Sequence, residues 1–172
     1  MMDAFSIRAA RPADSEAVSA VLLASYSTLL ATHYDPDMLE GALPFIGRAN
    51  PTLLASGTYY LAESRTGAIL GCGGWSTMRP GGGENIPGEA HIRHFATHPD
   101  WQGRGIGASL MARCFAEAEP FASRLHCFST LNAEPFYRAC GFKTIGPIKV
   151  PMGPTLKFPA MQMARWLGSG TV

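Results

Sequence analysis

The sequence predicts an α/β domain of the α+β type, and three observations predict it. Strand-like and helix-like runs alternate along the chain with no linker and no internal repeat. The strand-like run Ile92 to Thr97 feeds a glycine hexad, Gln102-Gly103-Arg104-Gly105-Ile106-Gly107, that opens a helix. The 172 residues are 47% hydrophobic, which supplies one sizeable core and suits a single domain over residues 1–172.

The elements follow in order. Phe5 to Arg8 is a short first strand, and Asp14 caps a helix whose apolar residues Val18, Val21, Leu22 and Leu29 share one face. Asp35-Pro36 starts a second helix, with proline in its first turn. Thr58 to Glu63 and Ala68 to Met78 form a hairpin around Arg65-Thr66-Gly67. Arg79 to Asn85, with three consecutive glycines, holds no regular structure and reads as a connector or a substrate lid. Behind the hexad, Ile106, Leu110, Met111, Phe115 and Ala118 form the core-facing stripe of a helix. Leu125 to Thr130 is the next strand and Phe158 to Trp166 the last. The proline-rich stretch Pro147 to Pro159 is expected to be a loop or a wall near the substrate.

The hexad is an anion site. A glycine-rich turn between a strand and a helix leaves unpaired backbone N–H groups pointing one way, at the positive end of the helix dipole. Gly103, Gly105 and Gly107 permit positive φ and keep Cβ atoms clear of a pyrophosphate, and Arg104 offers a charged hydrogen bond. Spacing separates the families that use such a turn. No Gly-Lys-Ser/Thr occurs, so a P-loop is excluded. Gly103, Gly105 and Ala108 satisfy the dinucleotide fingerprint formally, but the following strand, Leu125 to Thr130, ends without the acidic residue a ribose needs. A third pattern, Q/R-x-x-G-x-G/A, is met by Gln102, Gly105 and Gly107.

That third pattern resembles the coenzyme A turn of the GNAT superfamily of acetyl-CoA-dependent N-acetyltransferases. A second block, Asn132-Ala133-Glu134-Pro135-Phe136-Tyr137-Arg138-Ala139-Cys140-Gly141-Phe142, is similar to that superfamily's later N-A-x-x-F-Y-x-x-x-G-F segment, and Ile7 to Asp14 to its first strand and helix start. The resemblance implies a mixed, mostly antiparallel central sheet flanked by helices and splayed at its central strand. It implies acetyl-CoA as cosubstrate, held by Phe95, Ala96 and Thr97 along the pantetheine arm. Gln102, Gly103, Arg104, Gly105, Ile106, Gly107 and Ala108 would surround the pyrophosphate. Asn132 serves as cofactor contact, helix cap or both. Tyr137 becomes the acid that protonates the departing thiolate.

Chemistry is expected where the pattern breaks its own rule. A strand covered on both faces is normally apolar, yet Glu89 to Thr97 carries Glu89, His91, Arg93 and His94. Strict alternation puts Glu89, His91 and Arg93 on one side and Ile92 and His94 on the other unless a bulge intervenes. The resemblance implies such a bulge, and alignment on the turn makes His91 the leading base, with Glu89 and His94 as rivals. Arg93 either meets an acidic group on the acceptor or pairs with Glu89. His98, ahead of a proline, is read as structural, and Trp75 and Trp101 as packing groups.

Charge and composition bound the rest. A formal net charge of +1 lacks the basic excess of a nucleic-acid groove. No stretch approaches the roughly 20 apolar residues of a membrane span, and the first residues show no basic-then-apolar leader, so the cytoplasm is expected. Cys72, Cys114, Cys127 and Cys140 lack Cys-x-x-Cys spacing and the five histidines lack ligand spacing, so reduced thiols and no metal are expected. The expected activity is acetyl transfer to a primary amine of a small molecule or peptide, with a homodimer permitted. A noncatalytic acyl-CoA sensor and a nucleotide-dependent oxidoreductase are the alternatives.

Overall fold

The computed structural model describes residues 4–168. Seven strands form one sheet: β1 (Phe5–Ala9), β2 (Tyr59–Ser64), β3 (Ile69–Ser76), β4 (Glu89–Thr97), β5 (Arg124–Ser129), β6 (Lys143–Met152) and β7 (Leu156–Trp166). Their spatial order is β1-β2-β3-β4-β5-β7-β6. Every neighbouring pair is antiparallel except β4 with β5, which gives the mixed, mostly antiparallel sheet that the sequence implied.

Five helices flank it: α1 (Ser15–Leu29), α2 (Pro36–Ile46), α3 (Pro51–Leu54), α4 (Ile106–Ala118) and α5 (Glu134–Ala139). On one face α4 buries Ile106, Leu110, Met111, Cys114 and Ala118 against Tyr60, Leu70 and Ile92. On the other, Val18, Val21 and Leu22 of α1 meet Tyr59, Leu61 and Cys72, while Leu39, Ala42 and Ile46 of α2 cover Val150, Phe158 and Ala160. Burial on this scale drives the fold, at roughly 1.5–3 kcal/mol for each large aliphatic or aromatic side chain.

Two local expectations are corrected. Asp14 stands at the start of α1 but its carboxylate does not cap that helix. It accepts instead from Arg8 at 2.8 Å and 2.9 Å and from the Arg11 amide at 2.8 Å, because the guanidinium is the stronger donor. Asp35 does cap α2, accepting from the Asp37 amide. The stretch from Pro147 is not a loop: residues 143–152 form β6, paired with β7 from Lys143 to Met152. Prolines 147 and 151 are tolerated because β6 is an edge strand, where one row of amides has no strand to pair with.

The centre of the sheet is opened by two features that together prepare the site. Strand β4 pairs with β5 only from Glu89 to His91, after which the two strands diverge. Against β3 the register jumps: Ala96 faces Cys72 but Arg93 faces Gly74, so β4 carries an extra residue there. His94 sits in this bulge at φ +45°, the only described residue other than glycine with positive φ. Glycines in β3 make room, since a Cβ on Gly73 would lie 2.3 Å from the Phe95 ring.

Candidate active site

The glycine turn is built as an anion cradle. Gly103 and Gly105 adopt φ of +73° and +82°, and Gly105 is the left-handed residue that caps α4. An L side chain at either position would be strained. Gly107 serves a different purpose: a Cβ there would press to 2.8 Å from the Phe136 ring, so glycine lets α4 dock against the second motif block. The first turn of this 13-residue helix thus points its free amides into open space.

Those amides border a cavity of about 380 Å³. Gln102, Gly103, Gly105, Ile106, Gly107 and Ala108 line its floor. Phe95, Ala96 and Thr97 of β4 line it as well, as do Asn132 and Tyr137. No aspartate or glutamate lines it, which suits a polyphosphate. Arg104 is the one expected contact that does not line this cavity. Its guanidinium lies over the Trp101 ring, 4.6 Å from the centroid, and Trp101 itself forms part of the wall rather than a plain packing group. Asn132 is not the cap of α5, whose N-cap is Ala133, without a side-chain bond; the Asn132 Oδ1 accepts from Thr130 Oγ1 at 2.8 Å. His98 is structural, its Nδ1 accepting from the Asp100 amide at 3.1 Å.

A second cavity, about 300 Å³, adjoins the first. Tyr26, Phe95, Thr130, Ala133 and Tyr137 belong to both, so the two meet where β4 and β5 part. Tyr137 is 6% exposed and packs edge-on against Phe95, Phe136 and Phe142. Burial raises its hydroxyl well above the ordinary tyrosine value, which keeps it protonated. Among the described residues its Oη has no hydrogen-bond partner.

The bulge is held by hydroxyls that sequence reasoning did not single out. Tyr26 donates to the Phe95 carbonyl at 2.8 Å and Tyr59 to the His94 carbonyl at 2.7 Å. Tyr34 donates to the Pro159 carbonyl at 2.7 Å and accepts from the Leu131 amide at 3.0 Å, fixing the loop that carries Asn132. The one sequence signal for this was Gly71-Cys72-Gly73-Gly74, since glycines inside a strand mark a bulge or close backbone approach.

The ionisable residues of β4 are divided rather than gathered. His94 lies on the wall of the second cavity, with Nδ1 buried and unpartnered. Burial, then Arg93, pushes its pKa down to about 4. Glu89 and His91 border a separate cavity with Arg79, Arg124 and His126. His91 is 5% exposed, stacks on His126 at 5.4 Å between centroids, and touches the edge of Phe128, a wall residue of the second cavity. Burial first, and His126 second, lowers the His91 pKa to about 4. Glu89 faces His126 Nε2 at 3.0 Å and Arg124 at 3.7 Å, not Arg93. Arg93 instead donates to Ser76 Oγ at 3.0 Å, so the expected pairing with Glu89 does not occur.

Among the described residues no helix is long and apolar enough to cross a membrane, and no group of three or more His, Cys, Asp or Glu is arranged to hold a metal. No curated protein matches the sequence. Among solved structures, a GCN5-related N-acetyltransferase from Rhodopseudomonas palustris superposes with a TM-score of 0.74 at 20% identity, covering 97% of this chain and 98% of that one. A phosphinothricin acetyltransferase from Sinorhizobium meliloti with acetyl-CoA bound gives 0.67 at 22%, covering 98% and 91%. PaiA N-acetyltransferase from Thermoplasma acidophilum, complexed with coenzyme A, gives 0.67 at 15%, covering 96% and 99%. These likenesses carry the fold. The family model of the acetyltransferase (GNAT) domain matches residues 55–144, just over half of the chain and the part that holds the bulged strand, the glycine turn and Tyr137. The chain therefore belongs to the GNAT acetyltransferase family.

Proposed function

We propose that the protein transfers the acetyl group of acetyl-CoA to a primary amine by direct attack, with the cosubstrate in the larger cavity and the acceptor in the smaller. The observation that carries this reading is the junction of the two cavities at Phe95 and Tyr137, in the gap between β4 and β5. A substrate in each cavity would meet the other at these shared residues.

The residues fit the cosubstrate. The free amides of Gly105 to Ala108 and the α4 dipole receive the pyrophosphate, and the unpaired edge of β4 beyond His91 offers backbone partners to the pantetheine arm. At the junction the Tyr137 hydroxyl, protonated and without a protein partner, donates to the departing thiolate sulfur. A backbone amide near Phe95 or Ala96 would stabilise the oxygen on which charge develops. Cysteine is not needed as nucleophile, and burial pushes the Cys72 thiol up to about 12.

The acceptor must arrive as a free amine. Its cavity contains no carboxylate to hold an ammonium, so desolvation itself favours the neutral form. His94 lines this cavity, is unprotonated at neutral pH and is the base candidate favoured here, although its lowered pKa makes it a weak one; His91, the leading candidate from alignment, touches Phe128 but does not line the cavity.

Calorimetric titration with acetyl-CoA, followed by thiol release with an amine panel, tests the reading. Gly105→Glu adds a strained side chain and a negative charge at the cradle and is expected to abolish acetyl-CoA binding with an unchanged far-UV spectrum. Unchanged affinity in a folded variant would sink the assignment.

A further inference from the structure

The acceptor cavity has a chemistry of its own. Phe45, Phe128, Val150, Met152, Phe158 and Ala160 are among its lining residues, from α2, β5, β6 and β7. No aspartate or glutamate is among its lining residues. The only charged side chain in the wall is Arg93, whose guanidinium is tied to Ser76 Oγ and the Met78 carbonyl. Its volume of about 300 Å³ lies at the small end of ligand cavities, which run to roughly 1,000 Å³.

We infer that the acceptor is a compact monoamine with an uncharged apolar body, of the arylalkyl or branched-alkyl class, and that polycationic amines are rejected. This inference rests on the reading of the cavity as the acceptor site. A second ammonium would enter a pocket with no carboxylate and one arginine, losing its hydration without a partner. A flat or branched hydrocarbon body instead replaces water against Phe128 and Phe158 and loses nothing. Phe45 is 46% exposed at the rim, an apolar side chain left in water where an apolar ligand would cover it.

The transfer itself balances with the two substrates alone. The amine nitrogen bonds to the acetyl carbon as the carbon–sulfur bond breaks, the amine gives up one proton and the thiolate takes one. Products are the N-acetylamine and coenzyme A.

The test measures acetylated product and thiol release from acetyl-CoA with phenethylamine, isopentylamine, spermidine and kanamycin, beside calorimetry of acetyl-CoA alone. One of the two monoamines is expected to exceed spermidine and kanamycin in kcat/KM by at least about tenfold. Phe45→Glu, a change at an exposed position, is expected to raise KM for the monoamine by about tenfold with kcat nearly unchanged, and to narrow its advantage over spermidine. Faster turnover of spermidine or kanamycin overturns the inference and leaves acetyl transfer standing. An equal response of all amines to Phe45→Glu overturns the inference as well. Acetyl-CoA binding without acetylation of any amine overturns acetyl transfer, and this inference with it.

Discussion

Tyr137 lines both adjoining cavities and His94 lines the second, and the ionisation of each decides what it contributes. Burial keeps the phenol protonated, so removing its hydroxyl removes a donor and nothing else. Tyr137→Phe is expected to lower kcat by about 10²-fold with acetyl-CoA affinity unchanged, as measured by steady-state kinetics beside calorimetry. A wild-type kcat, with chemistry rate-limiting, would remove the assignment. For the base, the direction of the shift fixes the pH profile. A histidine must be unprotonated to accept a proton, and both His91 and His94 are lowered to about 4, so the acidic limb due to either lies near pH 4. Between pH 5 and 8, kcat/KM then rises only with the fraction of neutral amine. His94→Gln is expected to cost about 10²-fold in kcat/KM and His91→Gln much less. The opposite ranking would return the role to His91.

At the scale of elements, the bulge in β4 explains both what the sequence revealed and what it hid. The glycine turn was legible because its spacing fixes a local geometry, and the Asn132 to Phe142 block because it resembles a segment of the GNAT superfamily. The side on which His94 points was not, because one inserted residue shifts every later side chain relative to strict alternation. Its supports were hidden too: Tyr26 lies 69 positions from Phe95, and Tyr34 lies 97 from Leu131. Prolines 147 and 151 concealed β6 for a related reason, since their cost depends on whether a further strand pairs beyond them, which is a property of the sheet. Tyr26→Phe tests the bulge as a unit. It leaves the Phe95 carbonyl without its 2.8 Å donor and is expected to destabilise the protein by about 1–2 kcal/mol in urea unfolding. It should also raise the KM for both substrates, since Tyr26 lines both cavities. Altered stability with unchanged kinetics would mean that the bulge holds its shape through Tyr59 and Gly73 alone.

For the whole molecule, holding His91 and His94 neutral in the central strand ties stability to acidity. In the unfolded chain His91 and His94 take up protons as pH falls through about 6.5; in the folded chain burial delays this until about 4. The unfolded state therefore binds more protons between those values, and stability rises with pH across that window. The stabilisation is complete above about pH 6.5 and is lost progressively as pH falls toward 4. Each ring contributes at most on the order of 3 kcal/mol, against a total of about 5–15 kcal/mol for a typical domain. Asp14, lowered by its bond to Arg8, adds a loss of the same sign only below its ordinary value of 3.8. Urea midpoints measured at pH 7, 5.5 and 4.5 are thus expected to fall steeply, and the double variant His91→Gln, His94→Gln to show a much flatter profile over the same range. Saturating acetyl-CoA is expected to raise every midpoint without removing the slope, because the cavity proposed for it contains neither ring. A wild-type midpoint that stays level from pH 7 to 4.5 would mean that both rings protonate within the folded chain, and the acidic limb of kcat/KM would then move up toward neutral pH with them.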